Sequence, residues 1–213
     1  MASLRCAVAT CNLNQWANDF DGNLDRIKQS IRLAKEQGAR IRTGPELEVS
    51  GYSVEDHFLE LDCYLHSEES LANILSSDLT NGILCDIGCP ILHNNVRYNC
   101  RVVCLNRQIV LIRPKMHLAD DGNYRERRYF SSWKPEHGLQ SHKVGDAIYM
   151  VTGRRTVPFG YAVLSTAETL IGHELCEELW TADSPHIQMA LAGVEIFLNG
   201  SGTSCSSLIS LAK

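Results

Sequence analysis

The chain has 213 residues, 44% of them hydrophobic and 21% charged, which is enough apolar sequence for one substantial core. A net charge of -5 argues against nucleic acid as a partner, since that calls for a basic face. No apolar run approaches the roughly 20 residues of a membrane-spanning helix, and Met1-Ala2-Ser3-Leu4-Arg5 lacks the apolar core of a secretory signal, so no membrane association and a cytoplasmic setting are expected.

In chain order, strands and helices alternate. Residues 5–10 are a short β-rich run. Leu24, Ile27, Ile31 and Ala34 share one face of a helix beginning near Asn23, and Gly38 supplies its stop. Residues 39–41 lead into the turn Gly44-Pro45-Glu46-Leu47-Glu48. A second helix is expected over residues 68–75 and a strand over 83–87. Residues 98–105 and 108–112, split by Asn106-Arg107, predict a hairpin that ends at Arg113-Pro114-Lys115-Met116. The polar segment 131–145 reads as a surface loop. Strand-like residues 162–166 and 169–171 precede Gly172-His173-Glu174-Leu175-Cys176-Glu177-Glu178-Leu179-Trp180, and then come a helix over 185–191 and a strand over 194–198. Buried strands covered by helices make an α/β layered domain.

Three of these stretches carry chemistry. One offers a carboxylate just after a proline, one an amine just after a proline, and one a thiol in an acidic turn. A cysteine attacks an amide as its thiolate, which is only a few per cent populated at neutral pH, so a nearby base is needed. Glu46 is the candidate base, Cys176 the nucleophile and Lys115 the cation for the oxyanion. Taken singly, such residues are mostly surface charges or small buried hydrophobes. Their places at the ends of apolar runs, where strands hand side chains to a site, set them apart. Nine cysteines without framework spacing read as reduced thiols, and Cys85 and Cys89 have no second His/Cys pair, so no metal is expected.

The same stretches resemble the nitrilase, or carbon-nitrogen hydrolase, superfamily, and within it the glutaminase domain of eukaryotic glutamine-dependent NAD synthetases. The likeness extends to Thr10-Cys11-Asn12-Leu13-Asn14-Gln15-Trp16, Ser50-Gly51-Tyr52, Arg97-Tyr98-Asn99-Cys100, Gly122-Asn123-Tyr124-Arg125-Glu126, Val157-Pro158-Phe159-Gly160 and Asn199-Gly200-Ser201-Gly202. It implies a nitrilase-type α-β-β-α sandwich over residues 1–202, with Glu46, Lys115 and Cys176 catalytic and Glu126 supporting them. It also implies that Tyr124, Glu177 and Ser201 bind glutamine and that the glutaminase reaction needs no cofactor. Gly200 stands where the family usually has alanine, and His173-Glu174 ahead of Leu175-Cys176 is a further departure.

After Gly202 the likeness stops and residues 203–213 form a Ser-rich tail, which reads as an alternative or frame-shifted end that leaves the sandwich incomplete. No Ser-Gly-Gly-x-Asp-Ser pyrophosphatase loop occurs, so ATP is expected to be used only by a synthetase domain outside this sequence. The expected partners are glutamine and a synthetase domain or full-length subunit that accepts ammonia, with homo-oligomers in the full-length family. Three functions compete: a glutaminase feeding NAD synthesis, a general small-amide amidase or nitrilase, and an inactive truncated product acting by association.

Overall fold

The structure, a computed structural model, describes residues 6–202; the Ser-rich tail and Arg5 of the first predicted strand lie outside the described residues. The chain begins with β1 (Val8–Thr10), α1 (Phe20–Glu36), β2 (Ile41–Thr43) and α2 (Leu61–Ser76). The long strands β3 (Leu84–His93), β4 (Val96–Leu105) and β5 (Gln108–Pro114) follow. Next come the single turn α3 (Glu126–Tyr129), then β6 (Gln140–Lys143), α4 (Asp146–Thr152) and β7 (Thr156–Phe159). The remainder is β8 (Leu164–Ser165), β9 (Leu170–Leu175), α5 (Pro185–Leu191) and β10 (Ile196–Gly200).

Seven strands form one sheet in the order β1-β2-β3-β4-β5-β7-β6, and among the described residues a second sheet runs β10-β9-β8. Strand alternation sorts the first sheet cleanly. Cys85, Ile87, Cys89 and Ile91 of β3, with their cross-strand partners Cys104, Val102, Cys100 and Tyr98, pack under Ile27 and Ile31 of α1 and Leu71, Ile74 and Leu75 of α2. On the opposite face Leu84, Val103 and Leu111 meet Ile171 and Leu198 of the second sheet. Met189 of α5 lies against Gly172 on β9, so helices flank both sheets in the α-β-β-α order. The mixed α/β fold is thus the one the resemblance implies.

Several boundaries differ from the sequence reading. α1 starts three residues before Asn23, and Gly38, at φ 76, ends it in the left-handed region. α2 is twice the expected length because Ser67 and Ser70, which look polar in the sequence, are buried with their hydroxyls donating to the carbonyls of Cys63 and His66. β3 runs past the expected residue 87, through Gly88 and Pro90 to His93. β2 pairs only as far as Asp86, so the missing N–H of Pro90 costs no ladder bond on that side.

The segment read as a surface loop is partly structural. It contributes β6 at the sheet edge, and its Trp133 and His142 are buried. His142 Nδ1 lies 3.0 Å from His93 Nδ1, so one of the two must be a neutral acceptor. Burial, and then His93, push His142 down from 6.5 to about 4. The unfolded chain therefore binds the extra proton between those values, and stability is full above pH 6.5 and falls as the pH drops toward 4. About 3 kcal/mol is at stake. His142→Gln should flatten the slope of unfolding free energy against pH in that window; an unchanged slope rules the assignment out.

Candidate active site

The strands β2, β5, β9 and β10 all deliver their carboxyl ends to one place. Beyond Thr43 the chain makes the Glu46 turn, beyond Pro114 comes Lys115, beyond Leu175 comes Cys176, and beyond Gly200 comes Ser201. Open α/β sheets commonly bind ligands outside such strand ends.

The Glu46 turn is held from below. Arg101, on the face of β4 toward the second sheet, is fully buried; its Nη1 donates to the Pro45 carbonyl at 2.9 Å and its Nη2 to that of Gly44 at 3.0 Å. Asp86 fixes that guanidinium with contacts of 2.8 and 2.9 Å. Glu48 is locked to Arg42 at 2.7 and 2.8 Å and accepts from the Gly88 N–H at 3.2 Å. A Cβ on Gly88 would collide with the Pro45 carbonyl and the Leu47 nitrogen, so the turn lies directly on β3 and only glycine fits beneath it. Leu47, at φ 51, completes the bend.

Around Lys115 the polar groups close into a buried cluster. Its Nζ sits 2.6 Å from Glu46 Oε1 and 2.8 Å from Glu126 Oε2. Asn99 Nδ2 donates to Glu46 Oε1 at 2.8 Å, Tyr52 donates to Glu126 Oε1 at 2.8 Å, and the Ala119 N–H donates to Glu126 Oε2 at 2.7 Å. Burial by itself would push the ammonium down, but Glu46 and Glu126 more than reverse this and hold Lys115 above its ordinary value. It stays a cation at neutral pH. Burial and the Glu46 charge push Glu126 up from the carboxylate range against the pull of Lys115. Tyr52 is held far up by burial and then by the two carboxylates, so it remains a phenol donor. Among the described residues, the buried Glu46 Oε2 has no hydrogen-bond partner.

Cys176 opens a single 3-10 turn, Cys176–Trp180, immediately after β9, with φ 40. That angle is uncommon outside glycine and turns the thiol sharply out of the strand. Cys176 is buried, acts electrostatically on Lys115 and on Tyr52, and accepts a hydrogen bond from Ser201 Oγ at 3.2 Å. Ser201 also offers its carbonyl to the Glu46 N–H at 3.4 Å. Beside the cluster lies a cavity of about 390 Å³, whose walls include Tyr52, Tyr124, Glu126, Tyr129 and Gly202. Tyr124 stands edge-on to Tyr52 with ring centres 6.0 Å apart. The structure thus brings Glu46, Lys115, Glu126, Cys176 and Ser201 together, with Tyr124 on the adjoining wall and Glu177 half-buried next to Cys176.

Two neighbours of Cys176 looked equivalent in sequence and are not. Glu178 is fully buried and committed to Arg113 at 2.5 Å, so it is unavailable to a ligand. Asn99 carried no assigned role, although its place in Arg97-Tyr98-Asn99-Cys100 was the one available signal. His173, the departure from the family text, is fully buried between the sheets with Nδ1 3.5 Å from Asp86 Oδ1.

Gly200 also has a reason. A Cβ there would run into the Arg101 guanidinium that braces the Glu46 turn. A thiol, a fixed ammonium and two carboxylates, one with an open oxygen, are the groups that acyl transfer through a thioester employs.

Comparison with known proteins gives the family and the fold. The carbon-nitrogen hydrolase pattern matches residues 7–210. The chain is 56% identical over 199 residues to the glutamine-dependent NAD(+) synthetase of Bos taurus, covering 93% of this chain but 28% of that protein. Against the crystal structure of a glutamine-dependent NAD(+) synthetase from Cytophaga hutchinsonii the TM-score is 0.79 at 24% identity, over 95% of this chain and 32% of that one. A variant of the amidase from Nesterenkonia sp. AN1, with the acetamide moiety of fluoroacetamide on its active-site cysteine, superposes with a TM-score of 0.70 at 15% identity, over 94% of this chain and 67% of that one. By sequence pattern and by fold, the chain belongs to the carbon-nitrogen hydrolase family.

Proposed function

We propose that the chain hydrolyses the side-chain amide of glutamine through a cysteine thioester and releases ammonia for NAD synthesis. The observation that carries the reading is the open Oε2 of Glu46, buried in the same cluster as Lys115, with Cys176 alongside. Glu46 takes the thiol proton, and the Cys176 sulfur bonds to the amide carbon. The oxyanion that forms is balanced by the Lys115 ammonium, which its two carboxylates keep charged. As the C–N bond breaks, Glu46 returns the proton to the departing ammonia. It then deprotonates the water that attacks the thioester, releasing glutamate and restoring the thiol.

Glu126 acts on Lys115 and holds it in place. Tyr124, Glu177 and Ser201 are the proposed contacts to glutamine, Tyr124 from the cavity wall and the other two from beside Cys176. All of these steps run on side chains of this sequence. ATP is proposed to be used by a synthetase domain outside this sequence, which spans 28% of the length of the Bos taurus glutamine-dependent NAD(+) synthetase. That domain, or a subunit carrying it, is the proposed ammonia acceptor. Among the described residues no helix is long and apolar enough to cross a membrane, and a cytoplasmic setting accords with the proposed reaction.

The test is glutamine hydrolysis by purified residues 1–213, with ammonia and glutamate measured together against a panel of short aliphatic amides and nitriles. Glutamine should be preferred in kcat/KM by at least about tenfold. A preference for another amide favours a general amidase, and no turnover of any member favours an inactive chain. Adding a separate synthetase with ATP and the acid dinucleotide then tests whether the ammonia reaches NAD.

A further inference from the structure

We propose that Glu178 and Arg113 form a positioning pair that keeps the Cys176 turn in register with Lys115. The inference rests on the catalytic roles proposed above for those two residues. Glu178 Oε1 accepts from Arg113 Nη1 at 2.5 Å and from the Met116 N–H at 2.5 Å, while its Oε2 accepts from the Leu175 N–H at 2.7 Å. Met116 directly follows Lys115, and Leu175 directly precedes Cys176. One carboxylate therefore holds the chain next to the amine with one oxygen and the chain next to the thiol with the other.

Both members of the pair are fully buried. A buried ion pair contributes little net stability over an apolar replacement, so fold stability alone is a weak reason for it. Register is a better one. Cys176 sits at a φ of 40 that the local chain does not favour, and the Leu175 N–H bond to Glu178 pins the residue just before it. Across the joint, Arg113 also donates to the Pro114 carbonyl at 3.2 Å, which stiffens the approach to Lys115. Without the tie, the second sheet and the Lys115 segment can shift relative to one another, and a displacement of about 1 Å is enough to cost on the order of 10²-fold in rate.

Glu178→Asp in the full chain separates position from charge, because it keeps the ion and withdraws it by one methylene. The expected result, per folded molecule, is a fall in kcat of about 10²-fold with KM near the wild-type value and with Cys176 alkylated by iodoacetamide at an unchanged rate. Glu178→Gln should lose more activity; if it fails to fold, the Asp variant still decides. Wild-type kcat in Glu178→Asp overturns the pairing, and so does a loss that tracks the unfolded fraction with faster alkylation, which marks a purely structural role. A wild-type chain that does not hydrolyse glutamine, or hydrolysis that survives Cys176→Ala, overturns the functional reading on which the pairing rests.

Discussion

Cys176→Ala is expected to reduce glutamine hydrolysis by at least about 10⁴-fold, because the proposed acyl intermediate forms on its sulfur. Cys176→Ser should fare little better, since an alcohol is far harder for the Glu46 carboxylate to deprotonate than a thiol. The same variants should lose labelling by a chloroketone analogue of glutamine. Of the other cysteines, Cys205 lies outside the described residues, and the remaining seven can be set against Cys176. Burial pushes Cys63 and Cys85 up to about 12, and Cys89, Cys100 and Cys104 well above the ordinary thiol value, so these five are poor nucleophiles at neutral pH. Cys6 is exposed and Cys11 partly so, and any labelling of either should not respond to glutamine. Glutamine-competable labelling that persists in Cys176→Ala and maps to any of these residues would remove Cys176 from the mechanism.

Much of this site can be read in the sequence because strands end where its residues begin. Pro45 and Pro114 stop two apolar runs, and the next residue in each case enters the cluster. The α5 helix is likewise legible in full, since Pro185 marks its first turn and Gly193 lies just beyond its end. What escapes is whatever depends on direction rather than on order. Glu177 and Glu178 differ by one position, but the first is half-buried while the second turns inward onto Arg113, which lies 65 residues away in sequence. β3 continues beyond the expected residue 87 because the Glu46 turn lies on Gly88 and because β2 ends before Pro90. The short elements β6, β7 and α4 were not anticipated because segments of four to seven residues carry too few periods to show a pattern.

Lys115→Met carries the largest expected effect on stability. Methionine matches the lysine stem in size but removes the cation between Glu46 and Glu126, leaving two buried carboxylates that share the Asn99 amide at 2.8 and 3.4 Å. Breaking a buried ion cluster in this way costs about 3–5 kcal/mol, and activity should fall with it because the oxyanion loses its counter-charge. The cost should also depend on pH, in a direction the geometry dictates. Glu126 already sits above 4.5 through burial and the Glu46 charge, and Lys115 is what pulls it back down. With the lysine gone, the carboxylate pair retains a proton to higher pH than it does in the unfolded chain. The variant is therefore least penalised near and below the unfolded carboxylate value and loses stability as the pH rises through the raised folded value. Taking wild type minus variant cancels the His142 contribution, which runs the opposite way in both proteins. Denaturant unfolding at pH 5, 6, 7 and 8 should show that difference widening with each step. A gap that stays constant from pH 5 to 8 would mean that the two carboxylates do not depend on Lys115 for their charge, and the ion cluster would then have to be redrawn.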